Sequence, residues 1–339
     1  MKVAIYGAGA MGTVLGAFLM RSGEKVDLIT RNKAHVKALN QKGAHIVGSV
    51  DMRQDVHALL PSEMKTKYDI IFLMTKQLNN KEVVTYLKDY LSEDGVICSM
   101  QNGLPELLIS EIIGEENVFG CTMNWSAFME GSGVVHLASK NTPKTLSFGL
   151  GSFHQEKRVH LEEIKRLLSQ MGDVTLEENF MGVKWSKLLI NSSFNGLSAI
   201  LGYTLGEIAA NKTSRRVFQC LVKECIDVAK ENQIKIAKVQ GVDIVKLLDY
   251  QTKLKQKFSF MLIPLLLRKH SASKSSTYQD IEAGRKTEIE AINGIITHYG
   301  EKAGVDTPFN EKVIQLVKQL ENGQLKPDFE NVKYFQDLL

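Results

Sequence analysis

The chain has little of what marks the more specialised protein classes. Its 339 residues include four cysteines, six prolines and two tryptophans, aromatic side chains make up 7%, and the formal net charge is only +4. Cys98, Cys121, Cys220 and Cys225 lie in apolar runs without metal-ligand or redox spacing. That excludes a zinc ribbon or a disulfide scaffold, and points to reduced core thiols, a cytoplasmic location and no metal site. So small a net charge excludes the dense basic stripe that nucleic acid needs, yet suits an anionic small ligand. Long hydrophobic runs are missing too: Phe258 to Leu267 is interrupted by Pro264 and is too short to span a bilayer, so no membrane segment is expected. No internal repeat or low-complexity linker is visible.

What is present is ordinary globular material, 44% apolar and 24% charged, long enough for two domains. Lys2 to Tyr6 is β-branched and apolar and leads into Gly7-Ala8-Gly9-Ala10-Met11-Gly12, followed by an apolar helix ending near Gly23. Residues Val3 to Met20 have some likeness to a signal peptide, but the glycine spacing has a better use. In a strand–turn–helix of this kind, the first glycine permits the turn, the second lets a pyrophosphate approach the backbone, and the third packs helix on strand. The unpaired N–H groups of the helix N-terminus then face the phosphates.

The second strand, Lys25 to Thr30, ends in Arg31-Asn32-Lys33. An acidic residue usually stands there to take an NAD ribose hydroxyl, whereas Arg31 suits a 2′-phosphate, so NADPH/NADP+ is the expected cofactor. An arginine on a solvated turn is the alternative. Gly43 to His57 reads as a hairpin, and Asp69 to Thr75 as a buried parallel strand delivering Lys76. A helix over Asn80–Leu91 and a strand over Val96–Met100 bring in Gln101-Asn102-Gly103. Short strands between Val118 and Gly149 suggest a mixed extension of the sheet, followed by a helix over Arg158–Met171 and a strand near Asp173–Leu176. The fold class is thus α/β, with a Rossmann-type doubly wound sheet over 1–177 and an all-helical domain over 178–339.

The helical half opens on a run that is apolar nearly all round, yet Lys187, Asn191 and Asn195 recur at i, i+4 and i+8, within ~80° of one helical face. A ligand-facing polar face explains them. A snorkelling lysine, with asparagines bonded to neighbouring loops, fits the same spacing. Further helices are expected over Thr213–Asn232, Val242–Lys257, Thr277–Tyr299 and Asn310–Asn322. Ser276 to Gln279 matches a capping box with Ser276 at the N-cap, a helix start that can receive a carboxylate. Glu288 lies twelve residues on, ~18 Å along an unbroken helix.

In this order the residues resemble the ketopantoate reductase family (2-dehydropantoate 2-reductases). The resemblance runs from Met1 to about Tyr299 on the glycine turn with Arg31, Thr75-Lys76, Gln101-Asn102-Gly103, Lys187 with Asn191 and Asn195, Ser275 to Asp280, and Thr287-Glu288 before Ile292-Asn293-Gly294. It implies NADPH-dependent reduction of 2-dehydropantoate to (R)-pantoate on the way to pantothenate and coenzyme A. It further implies Lys187 as proton donor, Glu288 as a catalytic and cofactor residue, and Asn102, Asn191, Asn195, Ser275 and Ser276 at the substrate. Gly7, Ala8, Gly9, Ala10, Met11, Gly12, Arg31, Lys76, Asn102 and Ser126 are the remaining cofactor set. Departures from the family pattern are Ser273 and Leu205, where asparagines are common, and Gly196, where several relatives carry proline. The expected partner is a small-molecule 2-oxo acid, and the chain is a monomer or a homodimer. Other branched or aromatic 2-oxo or 2-hydroxy acids on the same fold, or a non-catalytic NADPH sensor, are the rival readings.

Overall fold

The computed structural model describes residues 1–153, 158–239, 241–268 and 271–339, without the Arg158 side chain. They form two compact units, Met1–Phe180 and Met181–Leu339, where the change of character in the sequence is expected at 177/178.

The first unit runs β1 (Val3–Tyr6), α1 (Ala10–Arg21), β2 (Val26–Ile29), α2 (Lys33–Lys42), β3 (Ala44–Gly48), β4 (Met52–Gln54), β5 (His57–Leu59), β6 (Tyr68–Leu73), α3 (Asn80–Lys88), β7 (Leu91–Ser99), α4 (Pro105–Ile113), β8 (Val118–Met123), β9 (Ala127–Gly131), β10 (Val134–Leu137), β11 (Phe148–Gly151), α5 (Arg158–Leu168) and β12 (Val174–Leu176). Its main sheet has the order β12-β11-β8-β7-β6-β1-β2-β5. Every pair is parallel except β8 with β11. Because side chains alternate along a strand, Val3 and Ile5 of β1 enter one core with Leu15 and Leu28, while Ala4 and Tyr6 enter the other with Val84 and Leu87.

Two expectations change here. The helix from Asn80 stops at Lys88, and Leu91 already opens β7, pairing with Tyr68 across an irregular register step. The strands after Val118 also divide. β8 and β11 join the main sheet, but β9 and β10 pair with β3 and β4 in a separate four-stranded sheet, order β4-β3-β10-β9. The physical reason is α1, buried at Val14, Leu15, Ala17 and Leu19. A helix apolar on both sides needs cover away from the main sheet, and the small sheet packs there. Buried His35 ties these parts together. Its Nδ1 accepts from Gly133 N–H at 2.9 Å, so Nε2 carries the proton that meets Thr13 Oγ1 at 3.0 Å. Burial holds its pKa below the ordinary value.

The second unit is helical: α6 (Phe180–Leu201, starting at the last residue of the first unit), α7 (Leu205–Ala210), α8 (Lys212–Glu231), α9 (Ile244–Leu248), α10 (Lys253–Leu267), α11 (Ser276–Glu282), α12 (Ile289–Ala303) and α13 (Pro308–Glu321), then 3-10 turns over Phe329–Leu338. Two expected helices are each split. Val242–Lys257 breaks into α9 and α10, where Thr252 Oγ1 caps a new helix by accepting from Lys255 N–H. Thr277–Tyr299 breaks between Glu282 and Ile289, where Gly284 takes φ +64° and Arg285 folds back on Asp280. A buried polar chain sets the position of α6. Glu224 of α8 accepts from Phe309 N–H (2.8 Å), Asn310 N–H (3.0 Å) and Asn310 Nδ2 (2.7 Å), capping α13. Asn310 Oδ1 accepts from Asn293 Nδ2, which also donates to Ser192 O of α6, both at 2.8 Å. Gly196 is likewise accounted for: a Cβ there would stand 2.3 Å from Val313 Cγ1, so glycine lets α6 approach α13.

Candidate functional site

In the first unit, β1 ends at Tyr6 and the chain turns through Gly7 at φ +108°, where a Cβ would lie 2.5 Å from Thr75 N. Only glycine fits. The amides of Gly7 and Ala8 both donate to Ile29 O at 2.9 Å, which fastens the turn to the end of β2. Gly12 is equally constrained, since a Cβ would meet Gly7 O at 2.7 Å. Gly9 differs. It occupies the N-cap of α1, no side chain caps that helix, and a Cβ built on it meets nothing within 4 Å. The open space over an uncapped helix start fits a phosphate group, whose oxygens need N–H donors and close backbone approach. The contiguous Ala8, Ala10 and Met11 share this turn.

A hollow of about 460 Å³ lies at the carboxyl ends of β1, β2 and β6, lined by Tyr6, Gly7, Gly9, Thr30, Arg31, Asn32, Thr75, Lys76 and neighbouring apolar residues. Among the described residues its lining holds two cations and no carboxylate. Arg31 is exposed, two residues past the end of β2, and Asn32 beside it caps α2 by accepting from His35 N–H at 3.1 Å. The Arg31 charge reaches the Tyr6 phenol: burial raises the Tyr6 pKa, and Arg31 opposes that rise. These residues can hold a dinucleotide bearing an additional phosphate.

Asn102 follows β7 and does not line the hollow, but its loop is joined to the Lys76 loop. Gln77 Nε2 donates to Asn102 O. Buried Gln101 donates from Nε2 to Thr75 O and Asn80 Oδ1, both at 2.8 Å, and accepts from Ser99 Oγ at 3.1 Å. The positioning by Gln101 and Asn80 escapes sequence reading, since each alone looks like turn chemistry. Ser126 stands elsewhere, exposed between β8 and β9, with its N–H donating to Ser139 Oγ at 3.0 Å.

In the second unit, α6 is unbroken through Lys187, Asn191 and Asn195, the first two half-buried and the third buried. Two side chains grip its backbone: Ser275 Oγ donates to Asn195 O at 2.9 Å, and Asn293 Nδ2 to Ser192 O. The N-cap of α11 is Ser275, whose Oγ accepts from Tyr278 N–H at 3.0 Å. This corrects the expected capping box on Ser276 and Gln279. Ser276 begins the helix one residue later and is exposed, while Ser275 is the buried residue that can reach α6. Glu288 is also relocated. It opens α12 rather than riding a continuous helix from Thr277, it is half-buried, and its side chain does not cap α12. Glu321, which no motif points to, fixes the preceding residue: its Oε1 accepts from Thr287 N–H (2.8 Å) and Thr287 Oγ1 (2.6 Å). Burial pushes the Glu321 pKa up, but the bonds from Thr287 and Lys286 outweigh it and hold it below the ordinary value.

Comparison with known proteins bears on both units. The model for ketopantoate reductase PanE/ApbA matches residues 3–150, and that for the ketopantoate reductase PanE/ApbA C terminal matches residues 179–321. The chain belongs to the ketopantoate reductase family. A 2-dehydropantoate 2-reductase of Pyrococcus horikoshii is 31% identical over 327 residues, 95% of this chain and 98% of its own. Among solved structures, a ternary complex of D-mandelate dehydrogenase with NADH and anilino(oxo)acetate is 26% identical with TM-score 0.81, covering 95% of this chain and 99% of that one. A PanE/ApbA family ketopantoate reductase from Ralstonia eutropha is 25% identical with TM-score 0.80, covering 96% and 99%.

As a ketopantoate reductase family member the protein is an oxidoreductase acting on a CH–OH/C=O pair of a small molecule, with a nicotinamide cofactor. The α/β class, with a Rossmann-like sheet and a helical unit, agrees with these neighbours. Among the described residues, no helix is long and apolar enough to cross a membrane, and no group of His, Cys, Asp or Glu is suited to a metal ion.

Proposed function

We propose that the protein reduces 2-dehydropantoate to (R)-pantoate with NADPH. The support for NADPH is the hollow beside the glycine turn, with Arg31 and Lys76 in its lining and no carboxylate among the described residues. A 2′-phosphate dianion is favoured by such cations, and a ribose hydroxyl lacks the acceptor it would use. The nicotinamide, when bound, supplies a hydride to C2 of the 2-oxo acid. Lys187 then stabilises the charge that develops on the ketone oxygen and passes a proton to that atom, worth on the order of 10² to 10⁴ in rate. Asn191 and Asn195, neutral donors on the same helical face, orient the substrate without competing for that proton. Ser275, Ser276 and Asn102 add polar contacts to it. Glu288 serves the nicotinamide end, and Ser126 the cofactor.

One observation favours a second substrate. D-mandelate dehydrogenase, an enzyme crystallised with NADH and anilino(oxo)acetate, is among the most similar solved structures, so an aromatic 2-oxo acid is the rival. Loss of NADPH absorbance on adding 2-dehydropantoate or an aryl 2-oxo acid decides between them. The expected result is a kcat/KM at least tenfold higher for 2-dehydropantoate, a margin within reach of contacts worth about 1.4 kcal/mol. The reverse order assigns the protein to the aromatic acid, and no oxidation with either removes the reading.

A further inference from the structure

The head of α12 is tied down at a single residue. From Ala283 to Lys286 every residue is exposed, and Thr287, 4% exposed, is the first to be buried after α11. It is held by Glu321 of α13, whose side chain is only 9% exposed. One carboxylate oxygen, Glu321 Oε1, accepts from both Thr287 N–H at 2.8 Å and Thr287 Oγ1 at 2.6 Å. A hydroxyl has one proton to give, so the lone pairs of Oγ1 are left for Ile289 N–H, which donates to it at 3.3 Å. Two donors of one residue bound to one oxygen fix its backbone and its side-chain rotamer together. Lys286 Nζ stands 3.3 Å from the other oxygen, but it is exposed and water screens it.

The second anchor is Ile289, which is buried, with its Cδ1 3.2 Å from where a Cβ on Gly196 of α6 would stand. Glu288 lies between the two anchors, at φ −97° and ψ 30° and not yet helical. Its backbone is thereby held close to the Asn195 end of the polar face of α6. A neutral hydroxyl is enough to start a helix, as Ser275 does for α11. A buried carboxylate costs more to desolvate, and what it adds over a hydroxyl is two charge-assisted bonds to one backbone position. We propose that Glu321 is a positioning residue for the reaction, which acts through Thr287 to fix the backbone from which Glu288 meets the nicotinamide end of the complex. The inference rests on the role proposed for Glu288.

Two measurements on the full chain test it. The first needs no cofactor: in Glu321→Ala, amide hydrogen exchange followed by mass spectrometry should speed up at least tenfold over Thr287–Ile289 and stay at the wild-type rate in α13 and the rest of α12. Unchanged exchange, or loss of protection along both helices, would overturn the proposal. The second is a double-mutant cycle on kcat for NADPH oxidation with 2-dehydropantoate. Glu321→Ala should lower kcat by about 10- to 100-fold, as displacement of a working group does, yet by less than threefold once Glu288→Ala is present. The same loss in both backgrounds would make Glu321 merely structural and sink the inference. Should Glu321→Ala fail to fold, Thr287→Val replaces it in both measurements, with Thr287→Ser restoring turnover to within about fivefold. A Glu288→Ala protein with wild-type kcat would instead strike out the role of Glu288, and the inference with it, whatever the exchange shows.

Discussion

Lys187 sits half-buried one turn from Asn191 and two from Asn195, so a cation and two neutral amides share a helical face whose neighbours are apolar. If it donates the proton, Lys187→Ala should lower kcat by about 10² to 10⁴ and leave the NADPH dissociation constant within about threefold, because it removes a group that acts on the ketone rather than the nucleotide. Stopped-flow turnover with fluorescence titration of NADPH separates the two, and wild-type turnover in the variant would remove Lys187 from the chemistry. Glu224 is the residue to watch for pH. Burial pushes its pKa up to about 7 even though three N–H groups of Phe309 and Asn310 pull the other way. The folded chain then holds a proton that the unfolded chain releases, so this contribution to stability is complete below about pH 4.5 and is lost as pH rises through about 7. Urea denaturation at pH 5 and pH 8 should show the loss, and Glu224→Gln should flatten it at a lower absolute stability, because an amide cannot accept all three bonds.

Among the elements, the strand–turn–helix of β1 and α1 offers the sharpest contrast, since its glycines are required for different reasons. A methyl at Gly12 would press on Gly7 O at 2.7 Å, whereas one at Gly9 projects into open space. Gly12→Ala should therefore destabilise the chain by about 1 to 3 kcal/mol. Gly9→Ala should melt near the wild-type temperature while weakening NADPH binding by roughly tenfold or more, because it fills the room a phosphate needs. Calorimetry paired with cofactor titration reads both variants, and a Gly9→Ala protein that binds NADPH normally would show that this turn is not the phosphate cradle. Elsewhere, elements begin and end where a side chain intervenes. Ser275 starts α11 and grips α6 through Asn195 O, and Glu321 holds Thr287 at the head of α12.

Taken whole, a molecule that binds its cofactor only when folded is stabilised by it, by about 2.7 kcal/mol at a hundredfold excess over the dissociation constant. For a unit of this size that is about 5 to 10 °C in melting temperature. Thermal scans should show the shift with NADPH and a smaller one with equimolar NADH. Arg31→Asp should reverse the order by replacing the cation with a carboxylate acceptor for the ribose hydroxyl. An unchanged order would exclude Arg31 from the site.

Much of this was legible in the residues. The glycine turn after an apolar strand, the continuous run of β6, the uncapped helix start and the i, i+4, i+8 polar face of α6 are all local patterns, governed by periods of two and 3.6 residues and by the steric needs of glycine. Local patterns determined the class, most of the order of elements and the glycine turn that a dinucleotide needs. Tertiary structure alone decided where β9 and β10 went, because the apolar outer face of α1 had to be covered. It also decided that the helix expected from Thr277 breaks before Glu288, where a glycine in the left-handed region and a distant carboxylate, Glu321, outweigh helical propensity. Gln101, Asn80 and Glu224 act through partners tens of residues away in the chain, and no spacing rule can see a hydrogen bond that only the folded packing brings within reach.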